Sequence, residues 1–305
     1  MSKARAWLQA ARPLAQANLA TPLLCGAALG WTHAPSPGGD LHPAAFVGLG
    51  LVFTVVAQPC IVFLNDLHDA EGDALHPSPT PFSGGSRVLV EGRLTPGSLR
   101  RGLYLCAGML LGISAIATIL FDRPWTPAFA LLTLLLSWLY SATPVRGCAT
   151  RLGPWLQALG TGAVLPVLGG YLLTGDLTAV PARALLALVL LGAANHILTT
   201  LPDRRADLLA DKRTYATRHG PLVARRHAMQ MVLAVIGLSP WVLSFEHAAA
   251  VVGVMGICAG LVLSGLPLLR REDVEHRAAT LAFVVLLAGS IQLLMLGWAG
   301  VSLLP

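Results

Sequence analysis

Long apolar segments follow one another along almost the whole chain, and this succession limits what the sequence can fold into. Each segment is close to the ~20 residues that a helix needs to cross the hydrocarbon layer of a bilayer. Only helices and closed β-barrels satisfy their backbone hydrogen bonds in lipid, and runs of this length are typical of helices. Charged residues make up only 12% of the chain, about half their share in a soluble domain. The sequence therefore predicts an all-α, polytopic membrane protein.

We expect nine apolar segments to form nine transmembrane helices. Their approximate ranges are 13–32, 44–64, 99–121, 125–143, 154–174, 182–201, 229–246, 248–269 and 278–301. Two of the divisions rest on short turns, one at residues 122–125 and one near Glu246. No low-complexity tail or separate soluble region interrupts the series, so residues 1–305 are expected to form one membrane domain.

The nine spans would distribute the 21 lysines and arginines very unequally between the two membrane faces. One face would carry 19 of them and the other only Arg123 and Arg183. The 19 are Lys3, Arg5, Arg12, Arg87, Arg93, Arg100, Arg101, Arg146, Arg151, Arg204, Arg205, Lys212, Arg213, Arg218, Arg225, Arg226, Arg270, Arg271 and Arg277. This bias predicts that they lie, with the N-terminus, on the cytoplasmic side of the cell membrane. The net charge of +6 is then a topology signal beside anionic lipid, and not a nucleic-acid site.

Two aspartate-rich segments lie at the ends of the second and sixth predicted spans. The first, FLNDLHDAEGD, contains Asn65, Asp66, Asp69 and Asp73, and the second, LPDRRADLLADKRT, contains Asp203, Asp207 and Asp211. Residues four apart on a helix differ in direction by about 40°, so Asn65, Asp69 and Asp73 would share one face. Like charges stacked in this way repel each other, and a multivalent cation between them offsets the repulsion.

Both acidic segments would emerge on the same side because four helices separate them. Every candidate ligand is a hard oxygen atom, which favours Mg²⁺ over zinc or copper. Cations follow or interleave with the acids, at Arg87, Arg204, Arg205, Lys212 and Arg213. Carboxylates together with Arg and Lys indicate a metal-bound polyphosphate. The alternative, that acidic helix ends only mark exits from the membrane, accounts poorly for two matched clusters.

A membrane-embedded site for a Mg²⁺-bound diphosphate indicates an isoprenyl diphosphate as the substrate. Ionisation of its allylic C–O bond releases diphosphate, and metal ions lower that barrier by neutralising the developing negative charge. The hydrocarbon tail needs an apolar groove. A helical bundle with a central chamber, open sideways to membrane lipid, would provide one.

The sequence resembles the UbiA superfamily of intramembrane prenyltransferases, whose members carry NDxxDxxxD after the second helix and DxxxD after the sixth. Both patterns are present, at residues 65–73 and 203–207. The likeness extends through ARPLAQANLATPLLCGAALG, SGGSRVLVEGRLTP, YSATPVR and DKRTYATRHG. It implies a bundle of nine helices around a central chamber, and Mg²⁺-dependent chemistry on an isoprenyl diphosphate. The SGGSRVLVEGRLTP loop resembles the branch that uses naphthoate- or quinone-type acceptors more than the 4-hydroxybenzoate branch.

The resemblance also implies roles for individual residues. The metal ligands would be Asn65, Asp66, Asp69, Asp73, Asp203 and Asp207, with Asp66 and Asp73 in supporting positions. The catalytic set would be Asp69, Asp203, Asp207, Arg87 and Lys212, the last two binding diphosphate together with Arg213. Tyr140 and Arg146 would lie at the chamber mouth, near diphosphate or acceptor. Where the family usually has glycine this chain has Asp211, which we expect to face solvent.

Polar side chains within the predicted spans are costly in lipid and normally face the protein interior. We expect Asn18 and Asn195 to line the chamber and to position a hydroxyl or carboxylate of the acceptor. Gln58 and His196 are expected to form hydrogen bonds between helices. The glycines and prolines of the spans fit either close helix packing or a wider chamber, and the sequence does not separate these two.

Three functions stay open on the sequence alone. The first is Mg²⁺-dependent transfer of a prenyl group to an aromatic, quinone-precursor-like acceptor. The second is cyclisation of farnesyl or geranylgeranyl diphosphate without an acceptor, which an aromatic content of only 6% disfavours. The third is cation transport, which is disfavoured because the acids lie at helix ends among arginines and a lysine instead of near the middle of the membrane.

Overall fold

The computed structural model describes residues 2–33, 42–80, 83–243, 247–269 and 277–305. Within these ranges the protein is built of helices joined by turns, and a single bridge between Thr80 and Ser83 is the only strand-like contact. The all-α prediction is confirmed. The predicted turn near Glu246 lies outside the described residues, as do Arg270 and Arg271 of the predicted cytoplasmic set.

Fifteen α-helices follow one another along the described residues. They are α1 (Lys3–Ala11), α2 (Ala17–His33), α3 (Pro43–Ala74), α4 (Pro96–Phe121), α5 (Thr126–Ser141), α6 (Gly153–Leu159), α7 (Leu165–Thr174), α8 (Ala182–Thr200), α9 (Arg204–Leu209), α10 (Tyr215–His219), α11 (Pro221–Gly237), α12 (Ser239–Val242), α13 (Ala248–Ser264), α14 (Leu266–Leu269) and α15 (Arg277–Ser302). Short 3₁₀ turns lie at Pro13–Gln16 and Gly147–Ala149, and a π-helical turn, Gly160–Val164, joins α6 to α7.

Each predicted span falls on helical structure among the described residues. Six helical segments are long and apolar enough to cross a membrane: Pro43–Ala74, Pro96–Phe121, Gly153–Thr174, Ala182–Thr200, Ala248–Leu269 and Arg277–Ser302. Thr126–Ser141 is a shorter apolar helix. The multi-pass architecture is therefore supported by length and composition, while the number nine and the central chamber stay predictions.

The first helix, α1, precedes the first predicted span and was not expected. Its Ala6 and Ala10 are buried, and its Trp7 packs against Phe63 of α3 with the ring centroids 5.6 Å apart. A search for long apolar runs overlooks a short amphipathic helix, because only one of its faces is apolar. This helix rests on the end of α3 that carries the first acidic segment.

The helix of the seventh predicted span begins at Pro221, well before the predicted start at residue 229. Arg225 and Arg226 interrupt the apolar pattern there, which concealed the first turns. Arg225 is nevertheless fully buried, and it donates a hydrogen bond to the carbonyl oxygen of Leu268 at 3.0 Å. A charged residue thus belongs to the packed part of the helix, where periodicity alone assigns it to a loop.

Arg123 and Arg183 lie at the end of the bundle opposite the aspartates. The guanidinium of Arg123 is 4.5 Å from the ring centroid of Phe46, near the start of α3. Phe46 and Asp69 are separated by roughly 35 Å along that helix at 1.5 Å per residue. Arg183 lies 3.4 Å from His33, at the last residue of α2. The two arginines predicted on the other face therefore lie together at the end of the bundle away from the acidic segments.

Helices α2 and α7 pack with their backbones in contact. A Cβ atom at Gly26 would lie 2.1 Å from the carbonyl oxygen of Pro166, and one at Gly169 would lie 2.0 Å from that of Leu23. Small residues allow transmembrane helices to approach this closely. At these two positions glycine therefore serves helix packing and not a wider chamber.

Candidate active site

The two aspartate segments meet through a shared lysine. The Lys212 Nζ atom lies 3.0 Å from Asp69 Oδ2 and 3.7 Å from Asp207 Oδ1. Asp69 lies near the end of α3 and Asp207 in α9, so the contact joins distant parts of the chain. None of the three side chains is more than 10% exposed. The segments thus converge on one side of the bundle, as the predicted topology requires.

Asp69 has two further polar neighbours. The side-chain amide of Asn65 donates a hydrogen bond to Asp69 Oδ2 at 3.1 Å, so these two residues share one face of α3 as predicted. Arg146, from the loop after α5, places Nη2 3.4 Å from Asp69 Oδ1. Asp69 therefore collects one amide and two cations from three separate segments of the chain.

The buried charges of this cluster depend on one another. Burial raises the pKa of Asp207 to about 7; Lys212 opposes that rise, and the nearby charges of Asp203 and Asp69 add to it. Burial by itself would lower the pKa of Lys212, but Asp69 and Asp207 raise it above its ordinary value. Ionisation of the acids is costly here unless a cation lies beside them. The site is thus built to hold positive charge between carboxylates.

Asp66 is buried as well, but it binds different partners. It forms an ion pair with Arg12, which precedes the first span, and it accepts hydrogen bonds from the hydroxyl and backbone N–H of Ser86. Gln9 of α1 in turn donates to the carbonyl oxygen of Ser86 at 2.7 Å. Asp66 therefore ties α1 and the loop after α3 to the acidic end of α3.

We expect Asp66→Asn to lower stability without changing Mg²⁺ affinity. Removing one partner of a fully buried ion pair typically costs about 3–5 kcal/mol, because the other charge stays buried without compensation. The Arg12 side chain is 27% exposed, so the loss should be smaller than that. Thermal unfolding in detergent would measure the loss of stability. Faster proteolytic cleavage of the segment before Pro13 would show that α1 is held less firmly. The double variant Arg12→Gln/Asp66→Asn should recover part of the lost stability, since neither charge then remains. If Asp66→Asn lost Mg²⁺ binding as severely as Asp69→Asn does, Asp66 would be shown to be a metal ligand.

The loop after α3 folds over the acids by means of two glycines. The backbone N–H of Gly84 donates to Asp203 Oδ1 at 2.7 Å, and Arg87 donates to the carbonyl oxygen of Asp73. A Cβ atom at Gly85 would lie 1.8 Å from a carboxylate oxygen of Asp73. Both glycines have positive φ, 76° and 68°, a region that favours residues without a side chain. The glycines of the SGGSR sequence thus let the loop approach both acidic segments.

Asp203 lies where the site opens. Its side chain is 30% exposed, and His76 Nε2 is 3.3 Å from its Oδ1 atom. A cavity of about 340 Å³ lies beside it, lined by His76, Leu201, Pro202 and the side chains of Arg204, Arg205, Arg225 and Arg277, among others. His76 was not expected here, because a single histidine in a loop carries no spacing signal.

The polar residues of the spans fall into two groups. The Tyr140 hydroxyl and His196 Nε2 are 3.2 Å apart, so they join α5 to α8 as the prediction for His196 required. Asn195 and Gln292 both donate to Asn18 Oδ1, at 3.4 and 3.2 Å, and connect α8, α15 and α2. The side-chain oxygens of Asn195 and Gln292 are buried without a hydrogen-bond partner in the described structure. Gln292 was not among the predicted residues, although it is a polar residue in an apolar run, as Asn18 and Asn195 are.

Asp211 and Arg213 lie apart from the cluster. Both side chains are exposed, and across the described ranges neither takes part in an ion pair with the acids. The expectation that Asp211 faces solvent is confirmed. Helix α9 ends at Leu209, so the four-residue spacing does not continue to Asp211. Arg213 is held by its backbone N–H, which donates to the carbonyl oxygen of Ala149 at 2.9 Å.

The donor set fits a hard divalent cation. In the part of the chain that the structure covers, no three acidic, histidine or cysteine side chains lie close enough together to hold a metal ion by themselves. The ammonium group of Lys212 takes the position between Asp69 and Asp207 instead, and so shows that this position accepts a cation. Carboxylate and amide oxygens are the ligands that Mg²⁺ uses in proteins.

Solved structures with a similar fold cover nearly the whole chain. A UbiA homolog from Archaeoglobus fulgidus, bound to DMAPP and Mg²⁺, is 20% identical over 98% of this chain and 99% of that chain, with a TM-score of 0.67. A digeranylgeranylglyceryl phosphate synthase is 16% identical over 99% of both chains, with a TM-score of 0.61. A UbiA homolog from Aeropyrum pernix K1 is 16% identical over 90% of this chain and 96% of that chain, with a TM-score of 0.62. Such identities show a common fold.

The sequence itself matches a family. No curated protein sequence matches the chain. The UbiA prenyltransferase family, however, matches residues 19–299. This range includes both acidic segments, the loop over them and the whole of helices α3 to α14. With the family match covering almost the whole chain and the acidic segments meeting at one end of the bundle, the protein belongs to the UbiA prenyltransferase family.

Proposed function

We propose that this protein is a Mg²⁺-dependent intramembrane prenyltransferase that ionises an isoprenyl diphosphate and transfers the prenyl group to an aromatic acceptor. One observation carries the proposal: Asp69 and Asp207, from two separate acidic segments, both contact the ammonium group of Lys212 in a buried site at the end of an apolar bundle. Structures of the Archaeoglobus fulgidus homolog contain DMAPP or GPP together with Mg²⁺, which supports the same substrate class here.

Mg²⁺ would be held by the acidic segments, through Asn65, Asp69, Asp73, Asp203 and Asp207. When bound, it neutralises the charge that develops on the departing diphosphate. Arg87, Arg146 and Lys212 would bind the diphosphate oxygens, since all three already lie against the acids or the end of α3. Asp66 would position α1 and the loop. Arg213 would join the diphosphate site only by turning inward from its exposed position.

The loop over the acids would also exclude water from the reacting carbon. Gly84 holds it to Asp203, and Ser86 holds it to Asp66. An allylic cation reacts readily with water, so a covered site favours attack by the acceptor ring. Proton loss from the alkylated ring then completes the transfer.

The acceptor would be positioned by the amide cluster of Asn18, Asn195 and Gln292. The partnerless oxygens of Asn195 and Gln292 would accept hydrogen bonds from an acceptor hydroxyl, as burial without a partner is costly for an amide. Asn195 precedes Asp203 by eight residues, which corresponds to roughly 12 Å at 1.5 Å per helical residue. The allylic end of the substrate and one aromatic ring would have to fit within that separation.

A product panel tests the proposal. The purified protein, with Mg²⁺, would be incubated with farnesyl and geranylgeranyl diphosphate, each with and without hydroxynaphthoate or hydroxybenzoate acceptors. Mass spectrometry of the lipid products should show prenylated acceptor. A cyclic hydrocarbon or alcohol formed without acceptor would establish the cyclase alternative instead. The absence of any product from all combinations would contradict both.

Removal of divalent metal is expected to abolish turnover. Dialysis against EDTA should stop diphosphate release, and millimolar Mg²⁺ should restore it, because oxygen ligands without histidine or thiolate favour hard cations. Zn²⁺ at the same concentration should restore much less. Unchanged diphosphate release in the metal-free protein would contradict a metal-dependent ionisation.

We further propose that the active-site end of the bundle, with the N-terminus, faces the cytoplasm. Of the cations predicted on this side, Arg12, Arg146 and Lys212 contact the acids. Arg123 and Arg183 lie at the opposite end of the bundle, and such a bias favours the cytoplasmic side.

With the five native cysteines replaced by serine, a membrane-impermeant thiol reagent added to intact cells should modify Thr178→Cys and leave Arg5→Cys unmodified. Modification of Arg5→Cys alone would show that the N-terminus and the active-site end face the outside.

A further inference from the structure

Lys212 binds the two carboxylates that the proposed function assigns to Mg²⁺. Its ammonium group contacts Asp69 and Asp207 at 3.0 and 3.7 Å, so it and a metal ion would compete for the same oxygens. We propose that Lys212 is an exchangeable internal counter-ion. It neutralises the two acids while no metal is bound, and it releases them when a diphosphate arrives to accept its ammonium group. This inference rests on the proposed function in taking Mg²⁺ and diphosphate as the ligands.

The backbone around Lys212 is fixed, so that only the side chain can exchange partners. Its N–H donates to the carbonyl oxygen of Asp207 at 2.8 Å, and its carbonyl oxygen accepts from the hydroxyl of Thr217 at 2.9 Å. The next N–H, of Arg213, donates to Ala149 at 2.9 Å. A four-carbon stem on an anchored backbone can swing its tip between neighbouring anions without moving a helix.

The residue type at this position suits exchange. Lysines are rare in the chain, which has only Lys3 and Lys212 among its 21 lysines and arginines. The planar guanidinium of arginine binds carboxylates with two parallel hydrogen bonds, whereas the lysine ammonium is a compact point charge on a flexible stem. A lysine therefore exchanges one anion for another with less geometric constraint than an arginine would.

The local charges couple metal binding to diphosphate binding. Asp69 is contacted by Arg146 as well as by Lys212, so the two acids are already neutralised by two cations. Mg²⁺ bound to the same oxygens would lie beside the ammonium of Lys212 and the guanidinium of Arg146, and like charges repel strongly in a buried site. A diphosphate supplies negative charge and a new partner for Lys212, so each ligand favours binding of the other. Mg²⁺ alone is then expected to bind weakly.

Calorimetric titration with MgCl₂, without diphosphate, tests the competition. Lys212→Met should bind Mg²⁺ about tenfold more tightly than the unaltered protein, within the range typical of coupled sites. Arg146→Met removes an equal charge from Asp69 without touching Asp207, and it should give a smaller gain. Arg218→Met, at an exposed site, should give none. The proposal would be overturned if Lys212→Met bound Mg²⁺ no more tightly than the unaltered protein. It would also be overturned if Arg146→Met gained as much Mg²⁺ affinity as Lys212→Met.

Amine labelling reports the exchange in the unaltered protein. Because Lys3 and Lys212 are the only lysines, the exposed Lys3 is an internal standard. The labelling rate of Lys212 relative to Lys3, read by peptide mass spectrometry, should be low without ligands. It should rise in saturating Mg²⁺ and fall again when inorganic pyrophosphate is added with Mg²⁺. A ratio indifferent to Mg²⁺ would overturn the proposal. Neither experiment requires turnover, so each can fail while prenyl transfer is demonstrated, or succeed without it.

Discussion

If the proposed function is correct, Asp69→Asn is expected to lower prenyl-transfer turnover by at least ~10³-fold, because it removes a charge that would hold Mg²⁺ beside the cations that bind diphosphate. Asp69 is the point at which the two acidic segments, Arg146 and Lys212 meet. Asparagine keeps its size and its contact with Asn65. Lys212 keeps Asp207 as a partner and the Arg146 side chain is 41% exposed, so neither cation is left buried without compensation. The fold should therefore persist, with thermal unfolding in detergent close to that of the unaltered protein. Product formation at saturating Mg²⁺ measures the loss.

Two further variants make this result specific. Asp203→Asn should cause a loss of similar size, because Asp203 is held at the opening of the same site by Gly84. Asp211→Asn should be fully active, because that side chain is exposed and apart from the cluster. Retained turnover in both Asp69→Asn and Asp203→Asn would refute the assignment of the acidic segments.

Gly169→Ala is expected to lower the free energy of unfolding by about 3 kcal/mol, the upper part of the range for overpacked sites. The new Cβ atom would lie 2.0 Å from the carbonyl oxygen of Leu23, and this neighbour is backbone, which cannot rotate away. Helices α2 and α7 would have to separate, with loss of contact along both. Thermal unfolding in detergent, followed by circular dichroism, measures the effect.

Gly48→Ala is the matched control. Gly48 is also a helical glycine, in α3, but a Cβ atom there would meet nothing within 4 Å. Alanine is the better helix former by up to about 1 kcal/mol, so this variant should be neutral or slightly more stable. Equal unfolding temperatures for the two variants would show that α2 and α7 are not packed backbone against backbone.

The sequence was informative wherever the constraint is local. Apolar runs of about twenty residues fall on helices among the described residues, six of them long and apolar enough to cross a membrane, because lipid imposes the same requirement on every residue in it. Four-residue spacing placed Asn65 and Asp69 on one face. The same reasoning was misled by Arg225, whose buried charge lies inside a helix, and by α1, which is too short and too polar for such a search.

What the sequence determined by itself is the fold class, the membrane character and the two acidic segments, since each is encoded in the spacing of neighbouring residues. Tertiary structure alone decided which charges meet. Asp66 pairs with Arg12 while Asp69 pairs with Lys212, although both aspartates belong to one motif. The reason is physical: whether two residues from distant segments meet depends on how closely their helices pack. The distance between two helices is set by contacts such as that of Gly169 with Leu23, and no local sequence pattern contains such a contact.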